Sequence, residues 1–315
     1  MTYKNKLICL VSVITAFVLL YAGSFVFSAD FSRTRSSLYV WMDSGNLERV
    51  NRISISTVIA DDFELVKRNN LWYVVQHEQV FPARQLRVDD FLRIFTTRAS
   101  LPVRSENVTS HERYGLDETA SRVTIYDNNS VLLDLLVGYD DIMGLESFFR
   151  RAGQNEVRSG DNSLNAYLYG QISGWFNLRL IPGSEGSALN SGDVQRISVY
   201  TPEGQQIFTR RNRRWEITGI DVINPDTTAI ENYIRTILNT EGDSFAEIDL
   251  YEDDIFTHSR ITLEFGTGRV TTIYFSEPDE YQRRFARVSG SEYIYSIPMW
   301  AGTRLFMEPS SFELL

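Results

Sequence analysis

The sequence predicts an α+β protein: two tandem copies of a related unit, each a mainly antiparallel sheet covered by one or two helices, after an N-terminal transmembrane helix. Three observations lead there. First, V-x-R-I-S opens both Val50 to Val74 and Val194 to Ile217, and in each case a short apolar run, basic residues and a tryptophan follow. Arg52 and Arg196 are 144 positions apart and Trp72 and Trp215 are 143 apart, longer than any solenoid repeat, so the pattern reads as domain duplication. Second, runs of period two and one helical stripe recur in the same order in both halves. Third, Leu7 to Ala29 is a run of 23 uncharged positions, long enough to cross a hydrocarbon core of about 30 Å as a helix.

That run follows Lys4 and Lys6. It outlasts the apolar core of a cleaved signal peptide, and Phe27 stands where cleavage before Asp30 prefers a small residue. We therefore expect an uncleaved signal anchor, residues 1–37 with their polar linker, in the cytoplasmic (inner) membrane. The short basic N-terminus favours an inside start, so the chain is expected to be single-pass with its bulk extracytoplasmic.

The first repeat is expected over 38–182. Leu38 to Met42 is an extended entry. Ile53 and Ile55 alternate with serines, and Phe63 to Lys67 and Leu71 to Gln76 are strands joined through Arg68, Asn69 and Asn70. Val88, Phe91, Leu92 and Phe95 form the face of a helix. Arg104 to Glu112 reads as a loop. Arg122 to Tyr126 and Val131 to Val137 flank a turn at Asp127 to Asn129, Phe148 to Arg151 and Glu156 to Arg158 form a hairpin around Gly153, and Leu164 to Ile172 is a closing helix.

Pro182 and the segment 183–187 (Gly-Ser-Glu-Gly-Ser) read as a linker, with the second repeat over 188–315. Strands are expected at Arg196 to Tyr200, Gln206 to Arg210 and Arg214 to Thr218. The next helix is capped by Asn224, has Pro225 in its first turn, and buries Ile230, Tyr233, Ile234, Ile237 and Leu238. This stripe follows the first by 142 positions, Ser259 to Leu263 follows Ser121 to Ile125 by 138, and Phe285 to Arg287 is matched to Phe149 to Arg151 at 136. A shorter helix or turn after Pro298 closes the unit.

Composition narrows function. With 31 basic and 41 acidic residues the net charge is -10, which argues against a nucleic-acid binder. All the basic residues except Lys4, Lys6 and Lys67 are arginine, suited to planar multi-donor contacts. Cys9 is the single cysteine, so there is no intramolecular disulfide and no cysteine metal or redox motif. The sequence holds no H-E-x-x-H, G-x-S-x-G or glycine-rich phosphate loop. His77, His111 and His258 fall in separate elements, the latter two at loosely comparable loop positions. The carboxylates Asp249, Glu252, Asp253 and Asp254 lack the spacing of a calcium loop and read as a solvated acidic stretch. No catalytic residue, cofactor or metal ligand is assigned. Trp72 and Trp215 read as sheet packing. The basic cluster Arg210, Arg211, Arg213 and Arg214 reads as a charged hairpin turn and is the candidate partner-contact patch.

Tyr114-Gly115-Leu116, a strand pair ending in Leu136-Val137-Gly138, the aromatic and arginine strand Phe148 to Arg151, and Trp175 to Arg179 together resemble a bacterial family known as domain of unknown function 4340. Val137 stands where that family has isoleucine, and the second half keeps less of the pattern. The resemblance implies an N-terminal membrane segment, a repeated extracytoplasmic domain and a place beside gliding-type ABC transporter components. The expected function is a membrane-anchored accessory or scaffold protein of an envelope ABC-type system, with a membrane-protein partner. The alternatives are a binding module for an envelope polymer or lipid in a cleft between the copies, and a hydrolase with an acidic site.

Overall fold

Burial at every second residue is the local rule from which both sheets grow. The computed structural model describes Thr15 and residues 38–58, 61–181, 189–212, 214–219, 224–246 and 253–314. Apart from Thr15, the apolar run 7–29 lies outside these, as do the linker 183–187, Arg213, Asp249 and Glu252. Among the described residues no helix is long and apolar enough to cross a membrane.

The first unit closes at Gly174. Its strands are β1 (Leu38–Tyr39), β2 (Arg52–Ser56), β3 (Phe63–Arg68), β4 (Leu71–Gln76) and β5 (Gln79–Pro82), then helix α1 (Gln85–Thr96), then β6 (Ala99–Ser100), β7 (Val103–Ser105), β8 (Ser121–Asp127), β9 (Ser130–Asp140), β10 (Glu146–Arg151) and β11 (Val157–Asp161), with α2 (Asn165–Leu168) last. All but β1 and β6, which pair with each other, form one antiparallel sheet ordered β5-β4-β3-β2-β8-β9-β10-β11-β7. Asn69 and Asn70 turn β3 into β4 at φ 50° and 63°, the left-handed conformation that asparagine tolerates in tight hairpins. Helix α1 buries Val88, Phe91, Leu92 and Phe95, as expected. The Gln85 side chain fixes the helix to β4, accepting from the Trp72 N–H at 2.8 Å and donating to the Trp72 carbonyl at 3.0 Å.

Two expectations for this unit need correction, and one further strand joins the sheet. Arg104 and Ser105, expected to open a loop, belong instead to the edge strand Val103–Ser105 on β11, a pairing the sheet dictates and three residues cannot announce. Gln79–Pro82 is an edge strand too, and Pro82 is tolerated because it ends the outermost strand. The closing helix is a single turn over Asn165–Leu168 followed by a 3-10 turn at Ile172–Trp175, because Gly170 carries no helical preference.

The second unit runs from Trp175 through β12 (Val194–Thr201), β13 (Gly204–Arg211), β14 (Arg214–Thr218), helix α3 (Thr227–Leu238), β15 (Ser244–Phe245), β16 (Ser259–Phe265), β17 (Val270–Phe275), β18 (Arg284–Val288), β19 (Ile294–Ile297) and α4 (Met299–Leu305). Its antiparallel sheet is ordered β14-β13-β12-β16-β17-β18-β19-β15. Leu180 and Ile181 belong to its core, with Phe208, Trp215, Ile261 and Phe275. Helix α3 buries the five residues of the expected stripe. Its cap is Asp226 and not Asn224: the Asp226 carboxylate accepts from the backbone N–H groups of Thr228 and Ala229 at 2.8 and 3.2 Å, and Pro225 precedes the helix.

Apart from β5, which has no counterpart among the described residues of the second unit, the two sheets share order and also register. Ile53 stands between Leu65 and Ile125 in one sheet, and Ile197 stands between Phe208 and Leu263 in the other. Likewise Ser121, Val137 and Phe149 form a row answered by Ser259, Phe275 and Ala286. Phe149 therefore corresponds to Ala286, and the match to Phe285 is one residue off. The slip arises at one turn: Asp141 N–H donates to Glu146 O, whereas Asp279 N–H donates to Arg283 O, so the second turn is a residue shorter.

Tyr233 gives a pH test of the second core. Its hydroxyl is buried and donates to the Leu305 carbonyl at 2.7 Å, and burial pushes its pKa well above the ordinary value. A raised folded-state pKa means that the neutral form is favoured by folding, so its contribution is complete below about pH 10 and is lost as pH rises beyond it. Tyr233→Phe should cost about 1–3 kcal/mol at pH 7 by orphaning the carbonyl and should flatten the fall in urea midpoint between pH 9 and 11.

Candidate functional site

In the first unit, the residues of the sequence motifs converge. Gly138, in β9, lies directly under Tyr114-Gly115-Leu116: a Cβ there would sit 2.1 Å from the Tyr114 carbonyl oxygen and 3.0 Å from Leu116 Cγ. Gly115 takes φ +64°, and a Cβ on it would meet the Tyr139 ring at 2.7 Å. The Tyr114 ring packs on Phe148 with centroids 4.6 Å apart, and Arg150 Nη2 donates to the Leu116 carbonyl at 2.9 Å. Two glycines let backbone approach backbone, and an aromatic pair and a guanidinium hold the approach. The pieces Y-G-L, V-G and F-F-R are thus the two sides of one clasp. Its effect is to hold the loop carrying His111, Glu112, Asp117 and Glu118 at the sheet.

Beside this clasp is a cleft of about 620 Å³. Its floor is one cross-strand row, Ser56, Arg122, Leu136 and Arg150, on the face opposite the buried Ile55 and Val123. Its wall is the clasped loop, with Val108, His111, Glu112, Asp117 and Glu118. Arg122 Nε donates to Asp134 Oδ1 at 2.7 Å, and this bond is the main reason that the Asp134 carboxyl is held below its ordinary range. Burial lowers the pKa of Arg150, which also donates to the Gln154 carbonyl at 3.1 Å. The Asp117 carboxyl is pulled down, chiefly by the Thr119 hydroxyl, the reverse of what a general acid requires.

A second feature of this unit is the turn between β9 and β10. Ile142, Met143 and Leu145 stand 106%, 76% and 63% exposed at its tip, and Tyr139 is 60% exposed beside it. The tip is rigidly built. Asp141 Oδ1 accepts from the Leu145 and Glu146 N–H groups at 2.7 and 3.0 Å, and these bonds, that of Glu146 foremost, hold its pKa low. Asn162 Nδ2 donates to the Gly144 carbonyl at 2.6 Å. The corresponding turn of the second unit is locked in the same way, with Asp279 Oδ1 accepting from the Tyr281 and Arg283 N–H groups at 2.9 and 2.8 Å, but it reads Asp-Glu-Tyr-Gln-Arg. The fold therefore accepts a polar tip, and the apolar one is a property of the first unit. Sequence reasoning passed over both features: period arguments weigh buried faces, and the Ile-Met-Gly-Leu run is short.

The comparisons with known proteins bear on this unit and the next. A family model described as a domain of unknown function (DUF4340) matches residues 72–254, more than half of the chain. The chain belongs to the DUF4340 family. The match starts at Trp72 on β4 and takes in every piece of the clasp. No curated protein and no solved structure matches the chain.

The arginines of the sequence-predicted patch part company in the structure of this DUF4340 chain. Arg210 is turned to structural use: Nη1 donates to the Gly192 carbonyl at 3.0 Å, Nη2 lies 3.9 Å from Glu231 Oε1, and the guanidinium lies 5.8 Å from the Trp215 ring centroid. Lys67 meets Trp72 at 5.7 Å in the same register of the first sheet. Arg211 pairs loosely with Glu216 at 3.6 Å, Arg214 is exposed, and Arg213 lies outside the described residues. Both tryptophans are buried in their sheets. The histidines do not correspond: the position before Ser259 is His258, and before Ser121 it is Ala120. His111 Nε2 bonds the Asn155 carbonyl at 3.0 Å, His258 Nδ1 is 3.6 Å from Glu277 Oε1, and His77 occupies the β4–β5 turn at φ 46°. Asp253 opens a 3-10 turn with Asp254 next to it.

Proposed function

We propose that this chain is a membrane-anchored, extracytoplasmic accessory or scaffold subunit of an envelope ABC-type transport system, built from two copies of one α+β unit. The observation that carries the docking role is the rigid turn presenting Ile142, Met143 and Leu145 to solvent. Clustered exposed apolar side chains on a preformed element are the signature of an interaction site, and the polar tip in the second unit removes a purely structural reason for them. The 23-residue uncharged run before the first unit supports anchoring in the inner membrane, single-pass with the bulk outside. Shared strand order and matched ladder rows support duplication, and the shift in correspondence at a shortened turn is what divergence of two copies produces. The patch Arg211, Arg213 and Arg214 remains a second contact in this reading, with Arg210 as its support.

The test is recovery of the full-length chain from native membranes after mild crosslinking. An integral membrane protein of an ABC-type system should come with it; recovery of the chain alone, under detergent that preserves membrane complexes, would count decisively against the reading.

A further inference from the structure

The floor of the first unit's cleft has a counterpart in the second sheet. The cleft floor is the row Ser56, Arg122, Leu136 and Arg150, and the same row of the second sheet is Tyr200, Arg260, Tyr274 and Arg287. There, ring and guanidinium alternate. Arg260 lies over the Tyr200 ring at 4.9 Å, and Arg287 lies 6.0 Å from the Tyr274 centroid and 5.1 Å from that of Phe256. In the first sheet both arginines are kept and both tyrosines are gone. Ser56 and Leu136 stand in their places, and among the described residues lining the cleft there is no phenylalanine, tyrosine or tryptophan.

We propose that the cleft is a receptor for an aromatic side chain of a partner protein, a tyrosine or phenylalanine seated over Leu136 between Arg122 and Arg150, where Tyr274 stands in the second unit. Each part of the recognition is chemically ordinary. A guanidinium plane attracts the face of a ring, Leu136 gives the ring an apolar floor, and aromatic anchors filling pockets dominate protein interfaces. The wall adds selectivity: Glu112, Asp117 and Glu118 repel anions and favour a ring on a neutral or basic segment. This specifies one contact of the docking role argued above, and its test needs no membrane partner, so the two can fail separately.

The experiment is saturation-transfer NMR on the full-length chain in detergent, with an acetylated and amidated Ala-Tyr-Ala tripeptide as probe. The expected result is saturable binding that Ala-Leu-Ala and inorganic phosphate do not displace. Binding should weaken at least tenfold in the Ser56→Tyr/Leu136→Tyr double variant, which rebuilds the second unit's row. Leu136→Phe alone, a smaller change on the same row, should weaken it at least threefold should the double variant fail to fold. Absence of saturable binding, equal binding by wild type and the filled variants, or displacement by Ala-Leu-Ala or phosphate would overturn the proposal.

Discussion

Gly138→Ala is expected to destabilise the first unit by about 3 kcal/mol, the upper end of the usual cost of overpacking. The new methyl would stand 2.1 Å from the Tyr114 carbonyl oxygen. That atom is backbone, and it is held in place by the Tyr114–Phe148 ring pair and by the bond from Arg150 to Leu116. Relief requires the clasp to open, so the Y-G-L loop should lift from the sheet as stability falls. For a unit of this size the thermal transition should drop by roughly 6–12 °C. Gly170→Ala is the control, since its nearest new contact is 3.4 Å from the Ala166 carbonyl oxygen; it should move the transition little. Equal transitions for the two variants would refute the clasp.

Phe208→Ala should be the most damaging single truncation in the second unit, at about 3–5 kcal/mol. Phe208 is fully buried on β13. Its ring meets Phe312 edge-on at 5.0 Å and Tyr233 at 5.7 Å, which ties the sheet to α3 and to the C-terminal segment. Truncation leaves a cavity whose walls belong to three elements, and such walls relax poorly. Differential scanning calorimetry should show the transition of the second unit falling while that of the first stays. Combined with Gly138→Ala, the two losses should add, because the sites share no partner.

The parts of this fold that were legible in the sequence are those written in repeated periods. The stripe Val88, Phe91, Leu92, Phe95 named the buried face of α1 residue for residue, and Arg214 to Thr218 is β14 as expected. Edge pairings were hidden because Val103–Ser105 and Gln79–Pro82 have no pattern of their own and are strands only by virtue of a neighbour. The cap of α3 was misplaced because Asn224 and Asp226 are both good caps, and which one is used depends on where Pro225 lets the helix begin. The motif Y-G-L could be listed from sequence, but its meaning, that Gly138 must be bare for Tyr114 to lie on it, is a distance between strands. The cleft was invisible for a related reason. It exists as the difference between Ser56 and Tyr200 and between Leu136 and Tyr274, and those pairs emerge only when ladder rows align the two sheets. The arginine patch looked like one unit because its members are adjacent in sequence, yet neighbours on a strand point to opposite faces, and Arg210 and Arg211 find different partners.

The docking role is tested most directly by comparing two charged-tip variants, one in each unit, in the crosslinked recovery from native membranes. Ile142→Asp/Met143→Asp places charge on the apolar tip of the first unit, and Tyr281→Asp places it on the corresponding turn of the second. Both sets of side chains are exposed, so neither variant should unfold the chain, which circular dichroism would check. The expected result is that the first variant loses the membrane partner at least tenfold while the second retains it. Retention of the partner by both variants, or its equal loss from both, would contradict a role for the Ile142–Leu145 turn as the docking element.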